Sequence, residues 1–484
     1  MGKDICQLAP TELWSNFYEL TRIPRPSGHM EPIQEFMLKF GKSIGLDTIK
    51  DEAGNIIIRK PATPGMENKP GVILQAHLDM VPQKNSHVAH DFEKDPILPV
   101  IEDGWVKATE TTLGADDGIG VAAMMSVLAS KEIKHGPLEA LFTIDEETGM
   151  YGAFGLKAGS LKGKTLINMD SEHEGDLFVG CAGGVNVNAE FKYQKNVEIP
   201  EGDIALKISL TGLKGGHSGV DVLLGRANAN KMLFSFLKTA VYEYEARLSS
   251  FEGGTLRNAI PREAFAVVTI PEENLDAMIE GIQDYEARIN EAFAGIENSI
   301  SFSADQVELP ASLIPEDVQD DLINAVVSVH NGILRMIPSM PDVVETSSNL
   351  AIVTTEEGYI SCQFLVRSAS EFMKRNLVST IQSAFSMAGA KVTENGDYPG
   401  WQPNLTSHVM DVMASIYEKT WNIKPRVNVI HAGLECGIIQ DALGSLDMIS
   451  FGPNISFPHS PDEKVEIASV QRFWEFLIKT LKTI

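Results

Sequence analysis

Two histidines and a set of carboxylates, each placed just after an apolar run, are the residues here whose types and spacing could do chemistry. The first group is Leu113-Gly114-Ala115-Asp116-Asp117-Gly118-Ile119-Gly120, two adjacent acids in a glycine-rich turn. The small and apolar residues from Val121 to Leu128 follow at helical spacing, so the turn is expected at a helix N-terminus, whose dipole suits an anionic group. A carboxylate there can bridge metal ions or serve as a plain cap and solvated acid. The company it keeps decides between them. Gln75-Ala76-His77-Leu78-Asp79-Met80 ends an apolar stretch, and residues two apart on extended backbone face the same side. If His77 binds a metal, Asp79 can hydrogen-bond its other ring nitrogen and fix the tautomer. Asp145-Glu146-Glu147-Thr148-Gly149, Asp170 and Pro458-His459-Ser460-Pro461-Asp462-Glu463 each follow a further apolar run. Mixed histidine and carboxylate donors on separate loops suit a pair of borderline divalent ions such as zinc. A bridging carboxylate would hold such ions about 3.5 Å apart, close enough to share one water.

The elements that must position these groups read as an α/β pattern. Thr11–Thr21 is expected to form an amphipathic helix with Leu13, Phe17 and Leu20 inward, stopped by Pro24 and Pro26. Ser27-Gly28-His29 then turns the chain, and a second helix is expected from about Glu31 to Gly45 with Ile33, Phe36, Met37 and Phe40 buried. Short apolar strands are expected at 55–58, 72–74, 138–144 and 165–169, the type found inside a sheet whose site lies at the strands' carboxyl ends. After Cys181-Ala182-Gly183-Gly184 the pattern becomes α+β. Between Val185 and Pro399 helices are expected at 226–248, 273–294, 317–329 and 371–388, and strands at 204–210, 264–269 and 359–366. Asn395–Gly400 opens with an Asn-Gly turn signal and reads as a linker. The α/β pattern then returns, with helices at 405–420 and 466–481 and strands at 427–430 and 448–450. The simplest organisation is a discontinuous catalytic domain, 1–184 and 401–484, with a second domain inserted at 185–400.

Composition bounds the partners. The chain has 484 residues, too many for one ordinary core. Its net charge of −26 argues against nucleic acid, which needs a cationic face, and leaves carboxylates for divalent metals. No apolar run reaches the roughly 18 residues of a membrane span, and the N-terminus lacks the apolar core of a signal peptide. The four cysteines, Cys6, Cys181, Cys362 and Cys436, form no metal-like pair or disulfide ladder, which suits a reducing cytoplasm.

Taken together, the five ordered motifs resemble those of the M20 metallopeptidases, and within them the aminoacyl-histidine dipeptidase branch. The resemblance spans nearly the whole chain. It implies a zinc-exopeptidase-like α/β catalytic domain with an inserted α+β lid and dimerisation domain. By position, Asp116 would bridge two divalent metals, most simply Zn2+, with Co2+ or Mn2+ as alternatives. His77 and Asp170 would complete one site, Glu147 and His459 the other. Asp79 would orient His77, and Glu146 would be the general base that takes a proton from the water between the metals. The resemblance implies a cis bond between Asp116 and Asp117, the form this family usually holds there. The resemblance also implies that His217, in Gly215-Gly216-His217-Ser218-Gly219, reaches the partner subunit's site and stabilises the oxyanion, so a homodimer is expected. Asn258, in Leu256-Arg257-Asn258-Ala259-Ile260-Pro261, would contact substrate, and Arg367 would hold its free carboxylate. In His431-Ala432-Gly433-Leu434-Glu435-Cys436-Gly437, Gly433 would offer backbone amides; Glu435 would meet the substrate ammonium or serve the structure instead. His29, His87, His90, His135, His173, His330 and His408 lie outside every motif and are expected to be structural or solvated.

The implied activity is hydrolysis of unblocked dipeptides, Xaa-His and carnosine-like substrates among them. An N-acyl amino acid deacylase or carboxypeptidase of the same superfamily would share the metal core with a smaller lid. A two-metal phosphoesterase would need cationic groups that these motifs lack. A non-catalytic metal-dependent binding protein would be expected to have lost Glu146 or a ligand, and none is missing.

Overall fold

The donor-bearing loops are positioned by an eight-stranded sheet in a computed structural model that describes residues 2–194 and 197–484. Its strands are β1 (Asp47–Lys50), β2 (Ile56–Lys60), β3 (Val72–His77), β4 (Leu138–Thr143), β5 (Thr165–Asn168), β6 (Asp176–Cys181), β7 (Arg426–Ile430) and β8 (Asp447–Ser450). They lie in the order β1-β2-β4-β3-β5-β8-β6-β7. The central strands β4, β3, β5 and β8 are parallel, and every residue of β3, β4 and β5 is buried. Burial on both faces explains why these strands read as unbroken apolar runs rather than alternating ones. In register, His77 stands opposite Thr143 and Gln75 opposite Asn168, so the strands empty their loops at one end of the sheet. Helix α1 (Thr11–Thr21) buries Leu13, Phe17 and Leu20 as its spacing predicts, and Trp14 with them. Helix α2 (Glu31–Ser43) buries Ile33 and Met37 but leaves Phe36 and Phe40 only half-buried. Helix α3 (Ala115–Ala129) is apolar all round and buried along almost its whole length.

A separate four-stranded sheet adjoins two of the donor loops. It runs Ile455–Ser456, Lys464–Glu466, Trp105–Ala108, Pro99–Glu102 in antiparallel order. The loop with His459 is the connection between its first two strands, and its third strand feeds the Asp116 turn.

The chain divides into two units, 1–181 with 401–429 and 434–484, and 182–400 with 430–433. The second is built on an antiparallel sheet whose strands run in the order Ser301–Val307, Asp203–Thr211, Ala264–Pro271, Arg247–Gly253, Met340–Glu356, Tyr359–Ser368, Gly183–Lys192 and Lys391–Tyr398. Helices Ala229–Tyr244, Glu316–Ser328 and Glu371–Met387 contribute to one apolar core with it, in which Phe234 stacks on Phe251 at 4.2 Å between centroids.

Several expected boundaries move. The helix expected at 226–248 is Ala229–Tyr244, because the Asn228 side chain caps it by accepting from Lys231 N, and Glu245 ends it at φ 55°. Asn395–Gly400 is not simply a linker: Lys391–Tyr398 is an edge strand, and the Asn-Gly signal marks a register shift within it. The long strand Met340–Glu356 falls where no strand is expected, since Glu345-Thr346-Ser347-Ser348-Asn349 interrupts its apolar pattern with buried polar residues. Cys181, Cys362 and Cys436 are buried, Cys6 is half-buried, and all four are free thiols. Among the described residues no helix is long and apolar enough to cross a membrane.

Candidate active site

His77 is the last residue of β3, and 1 % of its surface is exposed. Its Nε2 lies 3.1 Å from Asp116 Oδ1 and 3.6 Å from Asp170 Oδ1. The other oxygen of Asp116 faces the second histidine, with His459 Nε2 at 3.2 Å from Oδ2 and 3.0 Å from Glu147 Oε2. The sequence-predicted donors therefore gather as two triads, His77–Asp116–Asp170 and Asp116–Glu147–His459, that share one carboxylate. Each residue arrives from its own loop: Asp116 at the kinked start of α3, Glu147 in the short helix α4 (Glu146–Gly149) after β4, Asp170 after β5. The peptide bond between Asp116 and Asp117 is cis.

The donor set fits divalent cations. Bonds of about 2.0–2.2 Å in tetrahedral geometry space donor atoms about 3.3–3.6 Å apart, close to the separations found here. Glu147 Oε1 is buried with no hydrogen-bond partner, an acceptor left for a cation to satisfy. The electrostatics agree. Burial pushes the Asp170 carboxyl up to about 7, the nearby carboxylates of Asp116 and Glu147 adding to the effect of burial against His77. Burial disfavours the His77 imidazolium, yet Asp170, Asp116 and Asp79 outweigh it and hold its pKa well above the ordinary value. His459 is pushed up to about 11 in the same way, its hydrogen bonds to Asp116 and Glu147 overriding its burial. Asp116, despite its own burial, is held well below the usual carboxylate range by His459 and His77.

Glu146 follows Asp145 at the start of α4. Burial raises its carboxyl well above the ordinary value, with Asp170, Glu147 and Glu435 adding to the shift and His77 opposing it. Asp79 does more than the spacing predicts. His77 Nδ1 lies 3.1 Å from the Asp79 carbonyl oxygen and 3.4 Å from its carboxylate. That carboxylate accepts the backbone amides of Glu146 at 3.1 Å and Glu147 at 3.2 Å, and the Ser27 hydroxyl at 2.7 Å. Asp79 thus aims the loop of Glu146 as well as the ring of His77. Glu435 is fully buried and accepts from Gln75 Nε2 at 2.7 Å and Thr143 Oγ1 at 2.6 Å, while its Oε1 has no partner.

Four residues given no role by the sequence reading belong to this region. Ser27 is one. Glu172 is another, its carboxyl pushed up to about 8 by burial with Asp116 and Asp170 behind it. The other two clamp the Asp116 turn. Glu463 accepts the amides of Leu113, Gly114, Ala115 and Asp116 at 2.8, 3.0, 2.7 and 3.3 Å. Arg25, also buried, donates to the carbonyls of Leu78 at 2.9 Å, Asp79 at 3.0 Å and Gly114. Gly114 stands at φ 70°, and a Cβ there would meet Arg25 Nη2 at 2.5 Å, so the glycine makes room for the guanidinium. A histidine or an acid in a motif announces a donor; a lone Arg25 some ninety residues upstream announces nothing.

The second unit holds a cluster of its own. Arg367 lies in the strand Tyr359–Ser368, is 6 % exposed, and donates to Tyr398 Oη at 3.0 Å. His431 is buried, with its Nε2 2.7 Å from Ser347 Oγ. His217 Nδ1 accepts from the amides of Gly219 at 3.2 Å and Val220 at 3.0 Å. A Cβ on Gly219 would meet the His431 carbonyl at 2.1 Å, His217 Cε1 at 3.1 Å and Arg367 Cδ at 3.2 Å, which places these three residues around one glycine. Asn258 is exposed, and its carbonyl accepts from Ser218 N at 2.8 Å. Gly433 is half-buried two residues after His431. None of the seven histidines outside the motifs joins a donor triad among the described residues.

Residues 73–483 match the family described as peptidase family M20/M25/M40. The chain is 43 % identical over 481 residues, 99 % of each chain, to the cytosol non-specific dipeptidase of Escherichia coli K12. It is 46 % identical to the solved aminoacylhistidine dipeptidase of Vibrio alginolyticus, with a TM-score of 0.92 over 100 % of this chain and 99 % of that one. The Bacillus cereus aminopeptidase PepT shares the fold at 17 % identity, with a TM-score of 0.59 over 98 % of each chain.

Proposed function

The chain belongs to peptidase family M20/M25/M40, and on that premise we propose that it hydrolyses unblocked dipeptides with two divalent cations, Xaa-His dipeptides among its substrates. The observation that carries this reading is the shared carboxylate: two donor triads meet at Asp116, with Glu146 adjoining Glu147 of the second triad. Zn2+ suits the His, Asp and Glu donors, and Co2+ or Mn2+ would be accepted by the same set. Bound there, the cations would polarise the scissile carbonyl and lower the pKa of a shared water.

The residues divide the rest of the work. Glu146 takes the proton of the attacking water and passes it to the leaving amine. Asp79 holds Glu146 and Glu147 by their amides, so the base stays fixed as charge moves. Arg367 suits the substrate's free carboxylate because its planar fork can bind both oxygens. His217, Asn258 and Gly433 would contact the substrate beside it, His217 stabilising the oxyanion from one subunit to its partner in a homodimer. Glu435, with its unpartnered Oε1, remains the candidate for the substrate ammonium. A cytoplasmic location completes the reading.

The test is hydrolysis of a panel by cation-loaded protein: free dipeptides with and without a C-terminal histidine, carnosine, and N-acetyl amino acids, with released amino acid quantified. Cleavage of free dipeptides alone is expected. Preferred cleavage of N-acetyl amino acids would instead place the chain among deacylases, and two bound cations with no cleavage would leave a binding protein.

A further inference from the structure

The turn that carries the shared carboxylate is gripped from two sides by residues that touch neither cation donor's side chain. On one side the Glu463 carboxylate spreads over four consecutive amides, Oε2 taking Leu113 and Gly114, Oε1 taking Ala115 and Asp116. On the other, Arg25 takes the Gly114 carbonyl together with the carbonyls of Leu78 and Asp79, on the loop that follows His77. Both groups are 2 % exposed, so each is a charge withdrawn from water and compensated through the backbone it holds. Glu463 also has a particular place in the chain. It lies four residues after His459 and immediately before the strand Lys464–Glu466, which pairs with Trp105–Ala108 on the way into the Asp116 turn.

We propose that Glu463 is a positioning residue for cation binding: it fixes the aim of Asp116 and ties the Asp116 turn to the His459 loop, so that the Asp116–Glu147–His459 site forms as one unit. This rests on the two-cation reading of the site. The physical reason is that a carboxylate with four amide donors cannot follow the His459 loop without carrying the turn along. The other side-chain link between loop and turn is His459 to Asp116 at 3.2 Å, which joins two cation donors and leaves the backbone of the turn unheld. The His77–Asp116–Asp170 site depends less on Glu463, because His77 and Asp170 sit at the ends of β3 and β5.

The test compares wild type with Glu463→Gln, which keeps the shape but turns one acceptor into a donor facing an amide. Glu463→Asp, which keeps both oxygens on a shorter arm, and Asp462→Asn, which removes a neighbouring exposed charge, complete the set. Co2+ uptake is followed by its visible absorption and by calorimetry, and dipeptide turnover is measured on the same samples. Loss of a residue that orients a ligand typically costs about 10- to 100-fold in metal affinity. For Glu463→Gln the second equivalent of Co2+ is expected to bind about 10- to 100-fold more weakly and the first within about threefold of wild type. Its kcat should fall with the second site while KM stays close to wild type. Asp462→Asn should match wild type throughout. A merely structural residue would lower the melting temperature and leave both affinities unchanged well below it.

Should Glu463→Gln fail to fold, Glu463→Asp carries the test, with an intermediate loss at the second site expected. Either variant, folded and binding both equivalents as wild type does, overturns the proposal. If wild type binds two equivalents but cleaves no dipeptide, the proposed function fails while the Co2+ comparison still decides the role of Glu463. If wild type binds no pair, both fall.

Discussion

Two histidines in this chain, one half-exposed and one buried, are driven in opposite directions. His459, in the first unit, is pushed up to about 11 by Asp116 and Glu147 against the effect of its burial. His431, in the second, is pushed down to about 3 by burial, with Arg367 and His217 adding to it. Desolvation acts on both in the same sense; the neighbours set the outcome. The first unit gathers carboxylates until the cluster calls for cations. The second gathers an arginine and two imidazoles around Gly219.

The largest expected effect comes from Asp116, because both triads use it. Asp116→Ala should abolish binding of the cation pair by calorimetry, with turnover falling beyond the roughly 10²–10⁴-fold that a general base contributes. Retention of two cations would break the claim that the first unit's charge is organised around one shared carboxylate. Glu146→Ala comes next: turnover about a hundredfold lower or more, with cation stoichiometry intact. Loss of a cation together with turnover would make Glu146 a ligand rather than a base.

The second unit should respond in KM. A charge-assisted hydrogen bond is worth about 1.5–3 kcal/mol. Arg367→Lys keeps the charge but loses the fork, so KM for a free dipeptide should rise about tenfold with a smaller change in kcat. A fall in kcat at constant KM would count against carboxylate binding.

The smallest effects are in pH. Asp170, at about 7, and His459, at about 11, must lose protons before they can bind a cation. Cation affinity should therefore rise with pH between 6 and 8, and binding should release protons, seen as a dependence of the calorimetric heat on buffer. His431 is neutral over the same range, so its ring signals in a nitrogen-edited NMR spectrum should not move. A titration of His431 near its ordinary pKa would erase the contrast.

The positions of His77, Glu147 and Asp170 were legible because each follows an apolar run, and a parallel sheet buried on both faces writes such runs plainly; Asp116, at the start of a helix, and the grouping into triads came from the family resemblance. His459 could be found because it sits in a motif, although its half-exposed side chain gives no hydrophobic signal of its own. The roles of Arg25 and Glu463 were not legible, since their partners are backbone groups and leave no pattern of residue types, and a lone Ser27 gives no sign that its hydroxyl meets Asp79. The long strand Met340–Glu356 escaped for a related reason: its middle is polar, and Ser347 and Asn349 spend their side chains on His431 and on the carbonyls of Arg257 and Ala259. The Asn-Gly pair at 395–396 misled because the same backbone preference serves a bulge as well as a turn.

The small sheet beside the Asp116 turn sets an order of events during synthesis. Glu463 and the Asp116 amide it holds are 347 residues apart in the chain. At about 5–20 residues per second, the ribosome needs roughly 20 to 70 s to make that stretch. Throughout it, the turn has neither its clamp nor His459. The hydrolytic centre is therefore among the last things the growing chain completes, and a ribosome-bound chain short of this loop cannot assemble the paired site.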